Sequence, residues 1–304
     1  MTGKVVFHIG LPKTATTTLQ SEVFPDLVGD DVVYVGVLQP RENNEQPEMY
    51  CELYEAIDSG LGLDKARRRL VDSLESDKQL ILSEEMILVS GERSSWREKL
   101  SNLSRLLEGL EYVLLVTVRD PVAGLFSYYL ERFSQLPERY KDNFLDCALK
   151  DEAMEIFHYG KLSHELLTKF DAYKVKVIAF EDVVGGGVDG IVCELMPGVE
   201  RSNKKALGKY NQKGRKDGVV TLCLPVSVKD VLGERFSRFL VLEKPPFAKA
   251  RARFNRAVSR IGNKQLFKQS RSVGVPTRED ELVLRQALSH ETEQLRTTFG
   301  IDYG

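Results

Sequence analysis

Cysteine is scarce in this sequence. The four in 304 residues, Cys51, Cys147, Cys193 and Cys223, lie far apart and form no CxxC pair. That excludes a secreted disulfide framework and a zinc site, and reads as the reduced thiols of a cytosolic protein. No metal-ligand spacing occurs elsewhere, so no metal is expected. Long apolar runs are missing too. Val5-Val6-Phe7 is far shorter than a signal-peptide core, and Val113 to Val118 falls well below the roughly 20 residues of a membrane span. The expectation is a soluble, cytoplasmic protein without a transmembrane segment. Glycine and proline number only 23 and 11, and no repeat or low-complexity tract occurs. Collagen-like and wholly disordered readings are thereby excluded.

Charge of one sign is nearly absent as a net quantity, at −2, but it is segregated. Residues 201–278 hold 20 Lys/Arg against 4 Asp/Glu, and the remainder 23 against 41. The balances are +16 and −18. Such a split suggests a segment that faces an anion, or one that packs against an acidic body.

What is present is an alternation of strands and helices. Lys4 to Ile9, Val32 to Val37, Gln79 to Ser83, Tyr112 to Val118 and Val175 to Phe180 read as short buried strands. Thr14 to Phe24, Lys65 to Leu74, Trp96 to Leu107, Pro121 to Phe133, Lys161 to Phe170 and Glu279 to Phe299 read as helices. The segment between residues 30 and 63 reads mostly as a polar loop around Pro40 and Pro47. Gly185-Gly186-Gly187 marks a break, with Leu222 to Leu242 and Phe247 to Ile261 as candidate helices beyond it. This order argues for an α/β domain with a parallel sheet, whose ligands bind at the carboxyl ends of the strands.

Two motifs fall at such ends. In His8-Ile-Gly-Leu-Pro-Lys13-Thr-Ala-Thr16-Thr17-Thr18, a strand runs straight into a helix. Helix-start N–H groups carry partial positive charge and can cradle a phosphate, and Lys13 adds a full charge. The Walker pattern wants Gly before its Lys, and Pro12 stands there instead. The bland alternative is a hydroxyl-rich helix cap. The second motif is Val116-Thr-Val-Arg119-Asp-Pro121 followed by Ser127. Arg119 leaves its strand as a guanidinium fork suited to phosphate.

Together these resemble the 5′-phosphosulfate loop and the 3′-phosphate site of sulfotransferases that use 3′-phosphoadenosine 5′-phosphosulfate (PAPS). Pro12, Lys13, Thr14, Thr16 and Thr17 match the first loop, and Ala15 stands where that family usually has Gly. The resemblance implies a P-loop-kinase-like three-layer fold with a central parallel sheet and a basic helical C-terminal region. One domain over 1–304 is then expected, with a nucleotide-binding core (1–184), a basic insertion or lid (185–278) and a C-terminal helix (279–304). Lys13, Thr14, Ala15, Thr16, Thr17 and Thr18 would hold the 5′-phosphate, and Arg119 and Ser127 the 3′-phosphate. Lys213, Gly214 and Arg215 resemble a basic glycine loop that closes over the nucleotide. Leu295 to Tyr303 is similar to the last helix of many bacterial sulfotransferases.

The resemblance also implies sulfuryl transfer to a hydroxyl or amine, with no metal, and Lys13 neutralising the leaving bisphosphate. A saccharide or glycolipid is the favoured acceptor, and nucleic acid is not expected as a partner. Glu84, just past the strand end, is the first candidate for the general base, with Glu85, Glu48 and His158 as rivals. His8 reads as a satisfied core histidine. Tyr159 and Glu181 occupy recurring family positions, with no chemistry assigned to them. The basic 247–261 stretch, if helical, could meet an acidic acceptor or an anionic membrane surface, or could be an ordinary surface helix. An ATP-dependent kinase and a non-enzymatic polyanion-binding protein are the competing readings.

Overall fold

Near-continuous Val, Ile and Leu runs become strands buried on both faces, which is what a parallel sheet between two helical layers requires. The computed structural model describes residues 3–29, 31–74, 78–202, 215–216, 218–227 and 265–304. The chain divides into two compact units, Met1–Gln212 with Pro276–Gly304, and Lys213–Val275.

The first unit begins with β1 (Lys4–His8) and a helical segment. That segment starts as α1 (Thr16–Thr18) and continues through a π turn (Leu19–Val23) and a 3-10 turn (Phe24–Asp26). Then come β2 (Leu27–Val28), β3 (Val32–Tyr34), α2 (Glu48–Ser59), α3 (Leu63–Leu74) and β4 (Gln79–Ser83). A 3-10 turn (Glu85–Leu88) leads to α4 (Trp96–Leu107), β5 (Tyr112–Val118), α5 (Pro121–Arg132), α6 (Glu138–Lys141) and α7 (Phe144–Lys150). Next are α8 (Tyr159–Lys169), β6 (Val175–Ala179), α9 (Phe180–Asp182), α10 (Val188–Leu195) and β7 (Glu200–Arg201). After the second unit, the first resumes with α11 (Arg278–Ala287) and α12 (Ser289–Phe299).

The main sheet has the order β3-β4-β1-β5-β6, and every neighbouring pair is parallel. Side chains alternate between its faces. On one face Val6, Ile81, Leu115 and Ile178 pack with Leu19 and Val23 of the first helical segment and Val188, Val192 and Leu195 of α10. On the other, Phe7 and Leu82 meet Tyr50, Leu53 and Ile57 of α2. The result is three layers. Register brings the carboxyl ends together: His8 lies opposite Ser83 of β4 and Leu115 of β5. The chain leaves β1 toward β3 on one side and leaves β5 toward β6 on the other. The crevice between β1 and β5 is therefore the topological switch point, where such sheets bind ligands.

A buried ion pair supports this edge. Lys99 of α4 is 1% exposed, and its Nζ reaches Asp58 of α2 at 2.7 Å and the Met86 carbonyl at 3.1 Å.

Several sequence expectations need correction. α2 lies inside the stretch read as a polar loop, because Pro47 does not break a helix there but stands at its N-cap. The strand from Val32 ends at Tyr34, and the terminal helix divides into α11 and α12. In the second unit, β8 (Arg215–Lys216), β9 (Val219–Ser227) and β10 (Gln265–Gly274) form an antiparallel sheet of order β10-β9-β8. Residues 222–227 are thus strand, not helix. Their apolar residues alternate, with Val220 and Leu222 buried and Thr221 and Cys223 exposed. The remainder of that candidate helix, and all of 247–261, lies outside the described residues.

Candidate functional site

The turn after β1 departs from ordinary backbone three times in six residues. Gly10 has φ +92°, Lys13 +67° and Ala15 +63°. A Cβ on Gly10 would come 2.9 Å from Cβ of Glu85, so glycine is needed there for space as well as for conformation. Left-handed geometry costs a non-glycine residue about 1–2 kcal/mol. The sequence accepts that cost at both Lys13 and Ala15. Alternating handedness around Thr14 turns successive N–H groups toward one side, the arrangement of an anion-binding nest.

The turn is anchored from beneath. Leu11 N–H donates to the Thr117 carbonyl at 2.8 Å, and Thr117 N–H to the Gly10 carbonyl at 2.6 Å. Thr14, expected to bind ligand or cap the helix, instead points inward. Its hydroxyl donates to the Leu11 carbonyl at 2.6 Å and meets Thr117 Oγ1 at 2.5 Å. Ala15 takes the N-cap position with no side-chain cap. The first-turn N–H groups of Thr16, Thr17 and Thr18 therefore have no capping side chain. His8 is a core histidine: fully buried, its ring nitrogens lie 2.8 Å from Ser83 Oγ and 3.3 Å from Thr117 Oγ1. Burial pushes its pKa down to about 3.

The second loop joins the first directly. Arg119 Nη1 donates to the Lys13 carbonyl at 3.0 Å, and the guanidinium stands 4.6 Å over the Phe180 ring. Tyr159, 1% exposed, clamps the Arg119 backbone. Its hydroxyl donates to the Arg119 carbonyl at 2.6 Å and accepts the Arg119 N–H at 3.3 Å. Asp120 caps α5 through Ala123 N–H at 2.8 Å and pairs with Arg285 of α11 at 2.8 Å. Tyr303 donates to Glu181 at 2.8 Å and to the Val118 carbonyl at 3.2 Å. Ser127 is half-buried on α5. One turn further, Glu131 holds Lys13 Nζ at 2.5 Å. Sequence reasoning missed Glu131, although its i,i+4 spacing from Ser127 was a usable signal. Tyr303 lay in the segment that the resemblance marked, but its contacts with Val118 and Glu181, like that of Arg285 with Asp120, were unreadable because those partners lie more than 120 residues away.

At the end of β4, Glu84 is 2% exposed and fully engaged. Arg41 grips its carboxylate twice, at 2.9 and 3.0 Å, Met86 N–H donates at 2.7 Å, and the Tyr50 hydroxyl donates as well. Glu85 accepts Gln20 Nε2 at 2.7 Å and Arg41 Nη2 at 3.3 Å. Burial, and then the Glu84 charge, raise the Glu85 carboxyl above the usual range. Both glutamates border the first loop, since Glu84 N–H donates to the His8 carbonyl at 2.9 Å. The rivals do not join them. Glu48 is exposed on α2 with Arg69, and His158 packs between the Ala148 carbonyl and Glu291 of α12. Lys213 and Gly214 lie outside the described residues, and Arg215 lies in β8. Among the described residues, no cluster of His, Cys, Asp or Glu is arranged for a metal, and no helix is long and apolar enough to cross a membrane.

Fold and site define a class: a parallel α/β protein with a P-loop-like turn after its first strand and an arginine loop beside it. The chain matches no protein-family model and no curated protein. Among solved structures it is similar to a sulfotransferase from Alicyclobacillus acidocaldarius, at 14% identity, over 84% of this chain and 95% of that one, with a TM-score of 0.41.

Proposed function

We propose that this protein is a sulfotransferase that moves a sulfuryl group from PAPS to a hydroxyl or amine of an acceptor. The observation that carries the reading is the pair of loops after the adjacent strands β1 and β5, tied by Arg119 to the Lys13 carbonyl. Pro12 in place of the Walker glycine favours a sulfate donor over ATP.

In this reading, the N–H groups of the first turn, with Thr16 and Thr17, hold the 5′-phosphate, and Arg119 and Ser127 hold the 3′-phosphate. The acceptor oxygen or nitrogen bonds to sulfur while the bond from sulfur to the 5′-phosphate oxygen breaks. That bond's electrons leave with adenosine 3′,5′-bisphosphate, and Lys13 neutralises the departing oxygen. The acceptor's proton passes to a carboxylate at the end of β4. Glu84 would have to release both arms of Arg41, Tyr50 and the Met86 N–H, whereas Glu85 has one close donor, Gln20, with Arg41 at 3.3 Å, and is 17% exposed with its carboxyl raised above the usual range. Glu85 is therefore the better fit of the two.

A saccharide or glycolipid acceptor belongs to the same proposal, and the basic 201–278 segment, at 20 Lys/Arg to 4 Asp/Glu, supports one that carries negative charge. A cytoplasmic location rests on the four free thiols.

The test is thermal unfolding with adenosine 3′,5′-bisphosphate, AMP or Mg–ATP, since a ligand selective for the native state raises its stability. The expected result is stabilisation by the bisphosphate alone, lost in Arg119→Ala. A shift with Mg–ATP and none with the bisphosphate would replace this reading with a kinase.

A further inference from the structure

An acidic side chain sits where the proposed function calls for an anion. Glu131 lies one turn beyond Ser127 on α5, and its Oε2 is 2.5 Å from Lys13 Nζ. Lys13 is otherwise set up for a ligand. Its backbone has φ +67°, its carbonyl is held by Arg119, and its side chain is 22% exposed. A carboxylate in that place is unfavourable for any phosphate or sulfate that approaches the turn. It repels the ligand directly, and it occupies the one full charge the turn carries.

We propose that Glu131 is a resident counter-ion that competes with the ligand's anionic group for Lys13, and so sets how tightly donor and product are held. The proposal rests on the sulfotransferase reading for the identity of the ligand, but not for the competition itself. Lys13 then has two partners, Glu131 in the free protein and the nucleotide's phosphate end in the complex. Glu131 is 48% exposed, so its pair with Lys13 is screened by water. An exchange of this kind is worth about fivefold in affinity at most. That is too little to block binding and enough to speed departure of the bisphosphate, because Glu131 takes the lysine back as the product leaves. Glu131 is a positioning residue here, since it acts through Lys13.

Two measurements test this. The first is calorimetric titration with adenosine 3′,5′-bisphosphate, and separately with inorganic pyrophosphate. It compares the natural chain, Glu131→Gln, Lys13→Ala and the double variant. Glu131→Gln should tighten binding about fivefold, and less than twofold when Lys13 is already alanine. A gain that survives intact without Lys13 would mean repulsion alone, and would overturn the proposal. So would equal affinities in the natural chain and Glu131→Gln, with the sulfotransferase reading left standing. If pyrophosphate shows the expected pattern and the bisphosphate binds to neither, the sulfotransferase reading fails and the counter-ion stands. The second measurement needs no ligand: acetylation of Lys13 by acetic anhydride, followed by mass spectrometry. It should run severalfold faster in Glu131→Gln, and equal rates would sink the idea.

Discussion

Arg119 donates through Nη1 to the main-chain carbonyl of Lys13 at 3.0 Å, so the turns after β1 and β5 form one mechanical unit. Arg119→Lys keeps the charge but loses the planar fork and its reach to that carbonyl. A charge-assisted bond of this type contributes about 1.5–3 kcal/mol. Amide hydrogen exchange across residues 10–15 should therefore accelerate at least tenfold in Arg119→Lys, with the helix α4 unchanged.

Ala15 occupies a left-handed N-cap at φ +63°. Ala15→Gly should relieve the strain, and the net gain after glycine's extra chain entropy is about 0.5–1 kcal/mol. Urea unfolding would detect it as a higher midpoint at constant slope. A loss of stability would mean that the alanine methyl group packs better than its half-buried position suggests.

His8 makes the fold sensitive to acid. Its folded pKa, about 3, lies below the ordinary 6.5. The native state thus holds the ring neutral while the unfolded chain takes a proton. The contribution is complete above about pH 6.5 and is lost as pH falls toward 3, at about 1.4 kcal/mol per pH unit. Denaturant melts at pH 6, 5 and 4 should show that slope, and His8→Asn should flatten it.

Lys99 is buried, and among the described residues its one carboxylate partner is Asp58, at 2.7 Å. Asp58→Ala would leave the ammonium uncompensated and should lower stability by about 3–5 kcal/mol. Replacing both together, as Lys99→Met with Asp58→Ala, should recover most of the loss in a thermal melt.

The role proposed for Glu85 as general base carries a prediction about rate. A base must be ionised to act, and burial beside Glu84 raises the pH at which Glu85 ionises. Turnover should rise with pH through that raised pKa, and Glu85→Gln should abolish the rise and lower kcat by about 10²–10⁴. Glu84→Gln should act differently, chiefly by loosening Arg41 and reducing stability.

The parts legible in the sequence were those written locally. Strands Gln79–Ser83 and Tyr112–Val118 follow from unbroken apolar runs and helix Trp96–Leu107 from its helical apolar pattern, which need no distant partner. Lys13 and Arg119 were legible because each sits at a strand-to-helix junction. Helix α2 was hidden by Pro47, which punctuates a sequence equally well as a loop residue or as an N-cap. β9 was hidden because a strand paired with residues between 38 and 55 positions away leaves the same apolar count as a helix. The inward turn of Thr14 was unreadable for a related reason, since it depends on Thr117, 103 residues further on.

Tyr303 reaches back 185 residues to the Val118 carbonyl. During synthesis, at roughly 5–20 residues per second, that separation is on the order of 10 to 40 s of elongation. The parallel sheet can be assembled once β6 has emerged, but the arginine loop must wait for Arg285 and Tyr303 before its flank is fastened. A nascent chain in that interval already possesses its sheet and its first turn, and still lacks the bolts on its second. Order of emergence, and not strength of contact, then decides which of the two turns matures first.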